Sequence, residues 1–146
     1  VAHAAGLNEP VAHAAAHEPG RELSTRHVVH ATVGGTRQMV MVYEGVGADG
    51  RHGLGLATSA DGGLSWDKVL GLGAEPGGPI LRGSDPAGEG AWDDGNIGTP
   101  WLVHLPDGRW RLYYVGTSDK GRTVAIGAAE SDELFSCDWT RVEATC

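Results

Sequence analysis

A four-strand rhythm that occurs twice constrains this chain more than any other feature. "RHVVHATV", "RQMVMVYEGV", "HGLGLATSA" and "LSWDKVL" read as strands, β-branched or alternating, with turn signals between them at Gly34-Gly35, Asp49-Gly50 and Asp61-Gly62-Gly63. The same order returns in "TPWLVHLP", "RWRLYYVGT", "TVAIGAAES" and "CDWTRV", divided at Asp107-Gly108 and Asp119-Lys120-Gly121. Tyr43 answers to Tyr114, Gly45 to Gly116, Gly55 to Gly127, Ser59 to Ser131 and Trp66 to Trp139, at separations of 71 to 73 residues. A repeated four-stranded antiparallel meander is the unit of a β-propeller. Two hairpin pairs in an ordinary β-sandwich are the alternative. They give no reason for Trp to recur at the fourth strand, or Tyr-x-Gly at the end of the second. The expected fold is therefore all-β: two four-stranded antiparallel propeller blades.

The spacing divides the chain into an irregular or mobile lead-in (1–26), blade one (27–72), an inter-blade connection (73–96) and blade two (97–146). With 24 Gly and 7 Pro in 146 residues, the composition suits short strands and many turns rather than long helices. The lead-in, "VAHAAGLNEPVAHAAAHEPG", is rich in Ala, but Pro10 and Pro19 interrupt any helix. Its His3, His13 and His17 have no Cys or carboxylate cluster in a fixed frame, so no metal is expected, and no cofactor. A blade buries its faces against neighbouring blades, and two blades do not close a ring. The expected partners are therefore the remaining blades of a longer chain, or other copies.

A net charge of −8 opposes binding to a nucleic-acid backbone and is compatible with neutral carbohydrate. No run approaches the roughly 20 apolar residues of a membrane helix, so no membrane partner is expected. Two cysteines, Cys137 and Cys146, are too few to fix a redox compartment.

Two stretches carry a family resemblance. "SADGGLSW", Ser59 to Trp66, matches the Asp-box pattern S-x-D-x-G-x-x-W at each specified position and resembles the marker of sialidases and related propellers. The resemblance implies a structural turn in which Asp61 accepts backbone hydrogen bonds, Ser59 and Gly63 complete the turn, and Trp66 packs into the blade. Blade two keeps only an acid and the Trp in "SDELFSCDW". More broadly, "MVYEGVGADGRHGLGLATSADGGLSW" followed by "AWDDGNIGTPWLVHLPDGRWRLYYVG" resembles the five-bladed propellers of the arabinanase, levansucrase and invertase superfamily. The resemblance covers residues 27 to 143. It implies about five blades, of which two are present here, and an enzyme that hydrolyses or transfers O-glycosidic bonds. In that superfamily a catalytic carboxylate stands one or two residues before the inner-strand proline. Here those residues are Thr99 and Gly98, neither of which is an acid or base. The acids lie upstream.

Up-and-down strand order places the start of a blade's first strand, the end of its second and the two-three turn at one end. Trp92, Asp93, Asp94 and Asn96 should therefore share a face with Glu44 and with the loops of Arg51 and Arg122. Aromatic faces stack on sugar rings, carboxylates accept hydroxyl hydrogens, and glycoside hydrolysis needs two carboxyl groups, one with a raised pKa. Glu44, Asp93 and Asp94 are the catalytic candidates, and Trp92, Asn96, Arg51 and Arg122 the substrate-binding ones. Partial burial in an apolar run is expected to raise the pKa of Glu44.

Each of these residues also has a structural reading. Trp92 can be blade-to-blade packing, Asp93 or Asp94 a turn cap, and Glu44 an ion-pair partner of Arg51 or Arg122. Trp101, Trp110, Tyr113 and Tyr114 read as core, Arg109 and Arg111 as solvent-facing, and His104 as a packed strand histidine. Three functions stay open: the glycosidase or glycosyl-transferring enzyme, a non-catalytic propeller that binds sugar or protein, and a sialidase-like propeller. The last normally needs an arginine triad that Arg51 and Arg122 do not complete.

Overall fold

The computed structural model describes residues 23–47, 49–70, 78–84, 91–118 and 123–142. Among them are nine strands and no helix: β1 (Leu23–Val33), β2 (Thr36–Val46), β3 (His52–Ser59), β4 (Asp67–Lys68), β5 (Leu81–Arg82), β6 (Ile97–His104), β7 (Trp110–Thr117), β8 (Val124–Ser131) and β9 (Thr140–Arg141). Two antiparallel sheets result, ordered β1-β2-β3-β4 and β6-β7-β8-β9. The two meanders stand as the sequence rhythm predicts. β1 begins at Leu23, inside the stretch assigned to the lead-in, and the rest of that lead-in lies outside the described residues.

The fourth strand of blade one differs from expectation. β4 pairs with β3 through Thr58↔Asp67 and Ala57↔Lys68, and β5 pairs with the same strand through Leu54↔Leu81 and Gly53↔Arg82. Val69 N–H donates to the Leu56 carbonyl and Ile80 N–H to the Leu54 carbonyl. β4 and β5 therefore follow one another along one edge of β3. β5, inside the stretch assigned to the inter-blade connection, is thus paired with blade one.

Strand alternation sorts side chains onto two faces of blade one. Val40 and Val42 of β2, with Leu54 and Leu56 of β3, join Leu102, Leu112 and Tyr114 of blade two in one core between the sheets. Burying each such aliphatic side chain is worth about 1.5–3 kcal/mol. Met41, Ala57 and Trp66, with Tyr43 packed against them, form a smaller cluster outside that core. In each blade a tyrosine lies over a cross-strand glycine: Tyr43 pairs with Gly55 and Tyr114 with Gly127. A Cβ at Gly55 would stand 2.7 Å from the Tyr43 hydroxyl, and one at Gly127 2.9 Å from Tyr114 Cζ. Both rings need a bare backbone beneath them.

Two expected core residues are not core. Trp101 is 59% exposed and Tyr113 36%, because strand parity puts them opposite Leu112 and Tyr114, with Ile126 on the same outer face of blade two. Arg109 and Arg111 are also more than solvent-facing, since Glu130 of β8 binds both guanidinium groups. His104 stacks on Trp110 with ring centroids 4.4 Å apart and donates to the Gly108 carbonyl.

The joint between the blades is made along β6. The β6–β7 register slips between Gly98 and Trp101, and Thr99 has φ of 49°. Two N–H groups of β6 are bonded by side chains of β1: Thr99 N–H donates to Thr25 Oγ1 (2.7 Å) and Leu102 N–H to His27 Nδ1 (3.0 Å). The His27 ring also stacks on Trp101 at 4.0 Å. Backbone donors that would otherwise be left unpaired beside a core are thereby satisfied.

Candidate functional site

Glu44 stands near the end of β2 on the face turned toward blade two, with only 7% of its surface exposed. Its Oε2 accepts from Thr25 Oγ1 (2.6 Å) and Thr99 N–H (3.2 Å), and its Oε1 from His52 Nδ1 (2.6 Å). Gly98 makes room for it, since a Cβ there would run into the carboxylate. A carboxylate of the neighbouring blade thus lies in space beside the two residues that precede Pro100. Thr99 is a β-branched residue held at positive φ before a proline, a strained conformation.

Two further bonds tie the β2–β3 turn to the approach of β6. Arg51 Nη2 donates to the Asp94 carbonyl (3.0 Å), and His52 N–H donates to Asn96 Oδ1 (3.1 Å). Glu44, Arg51, Asp94 and Asn96 are therefore brought together on one rim. Arg122 lies outside the described residues.

Asp93 and Trp92 turn elsewhere. Asp93 is 1% exposed and accepts from Ser84 Oγ (2.5 Å), Tyr114 Oη (2.9 Å) and Arg141 Nε (2.8 Å). Arg141 also donates to the Arg82 carbonyl, so this carboxylate knots β5, β7 and β9 together. Trp92 lies parallel to Tyr114, centroids 5.8 Å apart, over Gly116 and Gly127. It is partly buried and packs against the core between the sheets.

The electrostatics reverse one expectation. Burial pushes the Glu44 carboxyl up, but hydrogen bonds from Thr25, His52 and the Thr99 N–H, joined by the charge of His52 when that ring is protonated, outweigh it and hold the group below its ordinary value. Burial likewise pushes Asp93 up, and the bonds from Ser84, Arg141 and Tyr114 bring it below. Both shifts favour the ionised form, opposite to the raised pKa that the acid of a glycoside hydrolase carries. Tyr114 is pushed up to about 12 by burial and by its bond to Asp93, and serves as a donor only. Among the described residues no three His, Cys, Asp or Glu side chains gather to hold a metal ion.

The Ser59–Trp66 turn lies at the opposite end of β3 from this rim. Ser59 Oγ donates to Asp61 Oδ1 (2.8 Å), which also takes the N–H groups of Leu64 and Ser65, and Trp66 Nε1 donates to the Gly63 carbonyl. Its hydrogen bonds close a turn and leave the rim untouched.

Sequence reasoning missed Thr25, His52 and Thr99 at the rim, and Ser84 and Arg141 around Asp93. His52 had a usable signal: it lies across β2–β3 from the end of β2, on the face of Glu44. Arg141 and Ser84 had none, because their meeting with Asp93 depends on how the fourth strands are placed.

No protein-family model matches the sequence, and no curated protein matches it. Solved structures do. A candidate glycoside hydrolase of Parabacteroides distasonis superposes with TM-score 0.57 at 20% identity, over 82% of this chain and 32% of that one. A glycosyl hydrolase of Bacteroides ovatus gives 0.56 at 21%, over 82% and 31%. A candidate glycoside hydrolase of the same species gives 0.57 at 17%, over 94% and 38%. The chain has a glycosidase-like fold. It spans about a third of the length of these structures. At such identities the likeness is one of fold.

The joint should weaken in acid. The Glu44 value is lowered in the fold, so its stabilisation is complete above its unfolded value of 4.5 and is lost as pH falls through the lower folded value. His27, lowered by burial from 6.5, acts in the same direction: its stabilisation is complete above 6.5 and fades as pH falls through its folded value, because protonating Nδ1 breaks the bond from Leu102. Urea midpoints measured from pH 7.5 downward should fall, beginning below 6.5. In Glu44→Gln the further fall below 4.5 should be shallower.

Proposed function

We propose that this chain is part of a carbohydrate-active β-propeller of about five blades, a glycoside hydrolase or glycosyl-transferring relative, with its ligand at the rim of Glu44, Arg51, Asp94 and Asn96. The observation that carries this reading is the Glu44 carboxylate held against Gly98 and Thr99, where the resembling superfamily keeps a catalytic acid. Glu44 is the ionised member of a carboxylate pair and Asp94 the second. Asp93 fixes the loop that presents Asp94. Arg51, Asn96 and, on sequence grounds, Arg122 meet sugar hydroxyls.

A ring of like units is supported by the way the blades stack. Tyr114 and Trp139 lie in the core between the sheets, whereas Tyr43 and Trp66, their counterparts in the repeat, gather in the separate cluster of blade one. Counterparts therefore lie on the same side of their own blades, and the blades follow one another in one sense. The Asp-box turn of Ser59, Asp61, Gly63 and Trp66 suits the same reading. The outer face of blade two, bearing Trp101, Tyr113 and Ile126, is where a further blade would pack.

Turnover and binding on arabinosides, fructosides, mannosides and xylosides test the reading. Glu44→Gln should lower turnover about 100-fold or more, the scale of losing a positioned proton-transfer or charge-stabilising group. Unchanged turnover in Glu44→Gln, Asp93→Asn and Asp94→Asn alike would remove all three as catalytic residues. One observation favours a non-catalytic sugar-binding propeller instead: both buried carboxylates are held ionised. Binding without turnover would decide for it.

A further inference from the structure

We infer that His52, a residue no motif singles out, is a ligand-contacting member of this rim, with Glu44 setting its tautomer and Asn96 acting beside it on adjacent hydroxyls of one sugar. The inference rests on the carbohydrate reading and names the groups that would meet the sugar.

The geometry fixes both groups. Glu44 spends Oε1 on His52 Nδ1 at 2.6 Å, while Oε2 is occupied by Thr25 and Thr99. A carboxylate only accepts, so Nδ1 carries the proton, and whenever the ring is neutral its lone pair lies on Nε2. The His52 side chain is 31% exposed and that of Glu44 9%, so the imidazole, not the carboxylate, is the part of this pair that solvent reaches. Asn96 is fixed in the complementary sense: its Oδ1 accepts the His52 N–H, which assigns the amide and leaves the NH2 as donor. One rim thus offers an acceptor at Nε2 and a donor at Asn96 Nδ2, anchored through the same residue. Neighbouring hydroxyls of a sugar each give and take hydrogen bonds and match such a pair, whereas an anion would find no partner in a lone-pair nitrogen. The buried partners hold the ring before a ligand arrives, so binding does not have to order it.

Nitrogen-15 spectra of the imidazole and amide groups of the whole chain test this. The unmodified protein should show His52 protonated on Nδ1. Addition of arabinose, fructose, mannose or xylose should shift Nε2 and the Asn96 side-chain amide together for at least one of the four. In Glu44→Gln the population should move toward the Nε2-protonated tautomer and the sugar-induced Nε2 shift should be lost, a change a purely structural role for Glu44 does not produce. His52 protonated on Nε2 in the unmodified protein overturns the inference. So does a sugar that moves Asn96 and leaves Nε2 in place, and either result keeps the carbohydrate reading. If none of the four sugars moves any rim resonance, the carbohydrate reading falls and this inference with it.

Discussion

Replacing Asp93 by Ala should lower the unfolding free energy by about 3 kcal/mol, the cost of removing one partner of a buried charge pair. Asp93 is the carboxylate at which side chains from three parts of the fold meet. Arg141 on β9 and Tyr114 on β7 both donate to Oδ2, and Ser84, just past β5, donates to Oδ1. With Asp93 gone, the Tyr114 hydroxyl loses its partner in a site where it is 1% exposed, and leaving a buried donor unpaired costs about 1–3 kcal/mol by itself. Arg141 keeps the Arg82 carbonyl and is one-third exposed, which holds the total near the lower end of the range for broken buried pairs. Tyr114→Phe, which removes one bond and no charge, should cost about 1 kcal/mol. Urea unfolding of the two variants measures both. An Asp93→Ala change inside the roughly 0.5 kcal/mol scatter of surface substitutions would show that the knot contributes nothing.

Leu112→Ala should cost about 2–5 kcal/mol and should destabilise both blades at once. Leu112 is fully buried at the middle of β7, paired with Leu102 and with Ala129, in the one core that also takes Val40, Val42, Leu54 and Leu56 from blade one. A shared core makes the blades one cooperative unit, so far-ultraviolet circular dichroism and tryptophan fluorescence should report a single, coincident transition, shifted as a whole. Since domains of this size are stable by about 5–15 kcal/mol, a loss at the upper end removes much of the total. Two transitions, with only one displaced, would mean that each blade has its own core.

The sheets were legible because alternation and turn chemistry are local. β2 alternates so that Val40, Val42 and Glu44 face one way, and the glycine-bearing turns at 34–35 and 61–63 fix where strands stop. β5 escaped because only Leu81 and Arg82 pair, too short a run to show a period. The rim was legible as a place and not as a mechanism. Strand order alone brings Glu44, Arg51, Asp94 and Asn96 to one end, but it cannot tell which acid is buried. Asp93 and Asp94 are adjacent, and adjacency in sequence hides opposite environments: one carboxylate is buried among Ser84, Tyr114 and Arg141, while the next residue meets Arg51 through its carbonyl. The pKa of Glu44 failed for a related reason. An apolar run predicts burial correctly, but the sign of the shift is set by donors from β1, β3 and β6, of which only His52 is near in sequence. Trp101 and Tyr113 failed by parity, since a one-residue offset moves an aromatic from the core to the opposite face.

Amide hydrogen exchange at Thr99 and Leu102 tests the joint on which the site depends. Those two N–H groups lie on the strand that opens blade two and are bonded by Thr25 and His27 of blade one, while the same contact seats Glu44 against Gly98. If the blades pack as described, both amides should exchange as slowly as the central amides of β7 and should lose protection together in Leu112→Ala. Exchange of Thr99 and Leu102 at the rate of free peptide amides, with β7 still protected, would mean that the blades do not meet along β6 and that the Glu44 site is not formed.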